Sequence, residues 1–205
     1  MMKRILSFAL LGVCACSASD ANVDASVDPG TDGGFDSGVD LDSGTADPLE
    51  YYVFVTNTSH DGAIGGIAGA DAICASQAET AGLEGQFKAW LSTLSSPASD
   101  RLVQSDVPYV LVDGTHIADD WNDLTDGSIR APINLDASGQ RLGGDVWTGT
   151  LPSGASYVDG DCEGFTSNAG DLRSLCGSTA FTNASWTAAQ TPDCSSQLRL
   201  FCIEQ

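Results

Sequence analysis

Residues 193–205 read DCSSQLRLFCIEQ, a run in which Leu198, Leu200 and Cys202 fall on alternate positions. Successive side chains leave a strand on opposite sides, so this alternation marks a strand with an apolar face. Cys202 lies on that face, and a strand so placed must be tied to another element. Cys74, Cys162, Cys176, Cys194 and Cys202 all follow residue 50. Spacing alone leaves their connectivity open, and one of the five must stay unpaired. Far upstream, GADAICASQAETAG (residues 69–82) sets Ala70, Cys74, Ala78 and Ala81 on one helical face, with Gly82 as the stop. Cys74 then faces inward on a helix and Cys202 inward on the last strand. A bond between them would fasten the first and last elements of the domain. Cys162, read as part of a strand, could then take Cys194, which leaves Cys176 as the odd thiol.

The remaining elements are short. Aromatic and β-branched residues make EYYVFVTNTS (50–59) a strand, and Phe87, Ala89 and Leu91 alternate with Lys88, Trp90 and Ser92 in a second. PYVLVDGTHIA (108–118) carries a DG turn between apolar runs and reads as a hairpin. WNDLTDG (121–127) fits a short helical turn, with Trp121 and Leu124 three apart. Short strands joined by Gly, Ser and Pro loops fill the rest. One or two helices, many short antiparallel strands and long loops make the domain α+β. Trp90, Trp147 and Trp186 sit in apolar contexts and belong to the core, whereas Trp121, among acids, is expected to be exposed.

The first 50 residues differ in kind. Lys3 and Arg4 precede the apolar run from Ile5 to Val13, and CACSAS follows, which is the order of a secretory signal peptide. The run is too short to span a bilayer, which takes about 20 apolar residues. VCAC resembles a bacterial lipobox, with Cys16 as the lipidated residue and Cys14 as the alternative, so residues 1–15 are expected to be a lipoprotein signal peptide. From residue 16 to 50 the chain is rich in Asp, Gly and Ser, with Asp20, Asp24, Asp28, Asp32, Asp36 and Asp40 at every fourth position. Self-repelling charge with little to bury predicts a disordered acidic tether. Residues 51–205 form the folded domain. The 28 acidic and eight basic residues give a net charge of −20, which disfavours binding of nucleic acid and of heparin.

Three stretches, GGIAGADAICASQAETAGLEGQFKAWLS (65–92), VWTGTLPSGASYVDGDCEGFTS (146–167) and LFCIEQ (200–205), resemble endostatin, the C-terminal domain of certain collagens, and bacterial endostatin-like lipoprotein domains. The resemblance implies a C-type lectin-like fold and, residue by residue, disulfides joining Cys74 to Cys202 and Cys162 to Cys194. It also implies binding of extracellular protein or glycan, as adhesins do. It does not extend to ligand sites. Endostatin's zinc site uses N-terminal histidines, and here only His60 and His116 are present. Its heparin-binding surface is arginine-rich, whereas residues 51–205 hold one lysine and five arginines among 19 acids.

Catalytic motifs are missing from the sequence: there is no G-x-S-x-G elbow, no C-x-x-C, no HExxH and no Gly-rich phosphate loop. A cysteine-dependent enzyme built on Cys176 is the weakest alternative, and the chain reads as a non-enzyme. Calcium is the one cofactor the carboxylates suggest, since it takes six to eight oxygen ligands. Asp159, Asp161 and Glu163 in DGDCEG copy the first half of an EF-hand loop, although Gly170 stands at the twelfth position. Asp120, Asn122 and Asp123 flank Trp121 in a second cluster, where WND is the tripeptide of calcium-dependent lectins. Trp121 with these neighbours is the candidate ligand contact, and a calcium-dependent carbohydrate-binding lectin is the second functional reading. The expected whole is an exported lipoprotein of the outer membrane or cell surface, anchored in the lipid bilayer and displaying an adhesin-like domain.

Overall fold

The computed structural model describes residues 50–205. The signal peptide, the lipidation site at Cys16 and the acidic tether lie outside the described residues. The domain runs in the order β1 (Tyr51–Val55), α1 (Gly66–Ala81), β2 (Phe87–Ala89), α2 (Ala98–Arg101), β3 (Tyr109–Leu111), β4 (His116–Ala118), α3 (Trp121–Leu124), β5 (Asp145–Trp147), β6 (Cys176–Ser178) and β7 (Arg199–Glu204). It is α+β, with few helices and short strands, as the sequence predicts.

β7 is the spine of the sheet. On one edge it pairs antiparallel with β1, placing Val53 opposite Ile203 and Val55 opposite Phe201. Its other edge is shared. β2 runs antiparallel along residues 202–204, while β5 runs parallel beside Arg199 and Leu200. β3 continues the sheet parallel to β1 and closes a hairpin with β4, and β6 flanks β5. The sheet is therefore mixed, with antiparallel pairing in four of its six ladders.

Both faces of this spine are covered. Phe201 and Ile203 point with Val53 and Val55 into a core that holds Trp90, Tyr109, Ile117, Leu124 and Trp186. Leu200 and Cys202 point the other way with Phe54, toward α1. That double burial is why FCI in residues 201–203 is apolar without a break, as strands buried on both faces are. On the helix side, α1 presents Gly66, Ala70, Cys74 and Ala78 to the sheet, and such small side chains allow a close approach. Gly82 ends the helix in the left-handed conformation, φ 75°, where its N–H meets the carbonyls of Ala78 and Glu79. Asp71 on the flank of α1 takes Arg101 through both carboxylate oxygens, at 2.7 and 2.9 Å, and accepts the amide of Ala89. Arg101 also donates to the carbonyls of Ala89 and Leu91, so one ion pair binds α1, α2 and β2 together.

The Cys74–Cys202 disulfide joins α1 to β7 across 128 residues of chain, with Cα atoms 5.4 Å apart. Cys162–Cys194 closes a smaller loop of 32 residues, and Cys176 remains free and buried. These are the pairs that the endostatin resemblance implies. In the chain-entropy account, the longer crosslink stabilises by about 5 kcal/mol and the shorter by about 4 kcal/mol. Replacing Cys74 and Cys202 together with alanine is expected to lower the unfolding free energy more than replacing Cys162 and Cys194. Guanidinium denaturation of the two double variants measures the difference, and equal losses would contradict the loop-length ordering.

Candidate functional site

In each of the two sequence-predicted clusters one carboxylate accepts a backbone amide of the fold. Trp121 opens α3 with Asp120 as its N-cap, whose side chain accepts the amide of Asp123 at 2.8 Å. The indole is only 7% exposed and packs on Trp90 with ring centroids 5.7 Å apart. This corrects the expectation of an exposed Trp121: the cap turns its acidic neighbours outward and directs the ring into the Trp90–Trp186 stack. Asp123 and Asp119 face Arg130, and His116 reaches Asp119 at 3.3 Å, so the acids around Trp121 pin the β3–β4 hairpin to α3. Asn122 is exposed.

Asp159, Asp161 and Glu163 border one surface hollow of about 460 Å³, together with Leu94, Asp171 and Arg173. Asp161 is buried and accepts the amide of Leu94 at 3.0 Å. The strand expected around Cys162 is corrected too. Cys162, Glu163, Gly164 and Phe165 all take positive φ, at 52°, 55°, 69° and 59°, and make a left-handed turn. Three of these are L-residues with a Cβ, for which this conformation costs roughly 1–2 kcal/mol each. Cys162 is held by its bond to Cys194, and Phe165 is fully buried edge-on to Trp147, 5.9 Å away. The two anchors outweigh the local backbone preference. Among the described residues, no three His, Cys, Asp or Glu side chains are arranged to hold a metal ion.

Cys176 lies in β6 opposite Trp147. Burial and the nearby carboxylate of Asp145 push its thiol up to about 12, which disfavours the thiolate that nucleophilic chemistry needs.

A third place carries the features of a binding site. A groove of about 460 Å³ opens between α1, the segment after β1, and residues 137–138. Ile73, Ser76, Gln77 and Thr80 come from one face of the helix, opposite Asn57, Thr58 and His60. The wall is organised by Gln77. Its carbonyl accepts the amide of Asn57 at 2.8 Å, and its amide donates to the Thr58 hydroxyl, 2.9 Å away. That hydroxyl lies 2.9 Å from Nε2 of His60. The His60 backbone is fixed by its bridge to Leu198 and by the indole N–H of Trp147, which donates to its carbonyl at 2.9 Å. Burial lowers the pKa of His60, with Asp61 pulling the other way, which favours the neutral ring. No sequence motif marks the groove residues as a set. Their signal was a helix flank of Ser76, Gln77 and Thr80, uncharged in a domain otherwise crowded with acids.

Two measurements check these placements. Native protein treated with iodoacetamide at pH 8 should leave the Cys176 peptide unmodified until denaturant is added, and rapid native labelling would contradict its burial. Substituting Glu163→Gly should stabilise the domain by about 1 kcal/mol, since glycine adopts positive φ without a steric penalty. Gly164→Ala should destabilise it by a similar amount, and thermal unfolding of both variants reads the two signs.

A family model described as Collagenase NC10 and Endostatin matches residues 52–205. No curated protein matches the sequence. The match takes in every strand and helix from α1 to β7 and both disulfides. With three-quarters of its length covered, the chain belongs to the endostatin family.

Proposed function

We propose that this chain is an exported lipoprotein, held in the bilayer by lipid on Cys16, that displays a non-enzymatic binding domain for extracellular protein or glycan. The observation that carries the reading is the pair of disulfides in an endostatin domain: crosslinks of this kind persist in oxidising compartments outside the cytosol. The endostatin family supports a binding role over a catalytic one. The one free thiol of the described residues is buried, which supports a binding module over a cysteine-dependent enzyme. No helix among the described residues is long and apolar enough to cross a membrane, and a lipid at Cys16 would supply the attachment. The acidic residues 16–50 would then hold the domain off the membrane, with an outer-membrane or cell-surface location.

Cys16→Ala is expected to shift the protein from the membrane fraction to the soluble fraction, while Cys14→Ala leaves it membrane-bound. Retention of the Cys16 variant would overturn lipid anchoring. Screening the protein against matrix proteins and glycans, with and without EDTA, separates a calcium-independent binder from a calcium-dependent lectin. Binding is expected to persist in the chelator.

A further inference from the structure

We propose that the groove between α1 and residues 57–60 binds a neutral saccharide, without a metal ion, through the side chains of Asn57, Thr58, Gln77 and Ser138. The inference rests on the reading of the domain as a binding module and names the site and the ligand chemistry.

The lining decides between ligand classes. Asn57, Thr58, His60, Ser76, Gln77, Thr80 and Ser138 supply polar groups, while Ala72, Ile73 and Ala137 supply an apolar floor. No carboxylate, lysine or arginine lines it, although residues 51–205 contain 19 acids and six bases. A charged ligand would lose hydration there without finding a counter-charge, and a purely apolar one would strand the polar lining. Sugar hydroxyls donate and accept at once, and the C–H face of a pyranose ring is apolar. That combination matches a mixed wall of hydroxyls and amides over an aliphatic floor. The volume of about 460 Å³ falls within the roughly 300–1,000 Å³ typical of small-ligand pockets.

The wall is also pre-set. Gln77 is held at both ends by Asn57 and Thr58, so the Thr58 hydroxyl and the His60 ring stand in place before a ligand arrives. The Thr56 hydroxyl fixes the same segment from below by donating to the Thr58 carbonyl at 2.9 Å and accepting the amide of Leu200. The Asn57 side-chain amide and the hydroxyls of Ser76 and Ser138 have no hydrogen bond within the described domain and are exposed to the groove. An extended peptide is captured on an open strand edge through its backbone, whereas this groove is walled by a helix and loop side chains.

The test uses the full-length protein in detergent, with neutral oligosaccharides of glucose, galactose, mannose and N-acetylglucosamine as probes, titrated calorimetrically in EDTA. At least one probe should bind, and the Asn57→Ala/Ser138→Ala double variant should weaken it about tenfold or more, the scale of losing one or two hydrogen bonds. Ile73→Trp should abolish binding by filling the floor, and the exposed control Ser153→Ala, outside the groove, should leave it unchanged. All three variants should unfold at the wild-type temperature within a few degrees. Undiminished binding in the double variant and in Ile73→Trp would overturn the groove as the site. A requirement for calcium, or binding of a protein ligand with no response to any neutral sugar, would overturn the saccharide assignment while the binding-module reading survives. Absence of any protein or glycan ligand would sink that reading itself.

Discussion

The fold depends on a six-residue strand buried on both faces and bonded along both edges. β7 meets β1 on one side and divides its other side between β2 and β5, while Cys202 ties it to α1. β3 and β4 extend the sheet outward from β1, and β6 extends it from β5. The helix lies flat on the sheet because its inward residues are small, and the Trp90, Trp121 and Trp186 rings fill the opposite side because Phe201 and Ile203 give them a surface to pack against. Sulfur and packing act on the same residues here. Phe54 and Cys202 face each other across the ladder, directly beneath Cys74.

Charge is arranged around this frame with little cationic surface to spare. Arg101 is held by Asp71, Arg130 by Asp119 and Asp123, and Arg173 by Asp193 at 2.8 Å. Arg199 donates to the carbonyls of Thr56 and Gly143. Four of the five guanidinium groups in residues 51–205 thus meet carboxylates or carbonyls of the domain, while Arg141 is exposed. Carboxylates such as Glu84, Asp100 and Asp106 stay in solvent, giving a surface suited to repelling polyanions. Against that background, a groove lined only by neutral groups is distinct.

The sequence made the architecture readable because its periodicities are clean. The four-residue spacing of Ala70, Cys74 and Ala78, the DG turn between β3 and β4, and the terminal alternation each follow from local geometry. The parallel pairing of β1 with β3 and of β5 with β7 is not local, and no pattern in either strand announces it. The turn at Cys162 defeated propensity for the same reason, since its left-handed backbone is imposed by Cys194 and Trp147 from elsewhere in the chain. Trp121 misled because acids beside a tryptophan look like surface, when one of them is a helix cap. The groove was the least legible feature. Its residues come from positions 57–60, 72–80 and 137–138, and only the packing of α1 onto the sheet brings them together.

The spine follows β1, β2 and β5 in chain order, and this order bears on how fast the sheet can form. A polypeptide emerging from its amino end holds β1, β2 and β5 with no strand between them until residues 199–204 appear. Contacts this distant in sequence form slowly, and the chain stays open until they do. The Cys74–Cys202 bond is subject to the same delay, because residue 74 emerges 128 residues before the thiol it must meet.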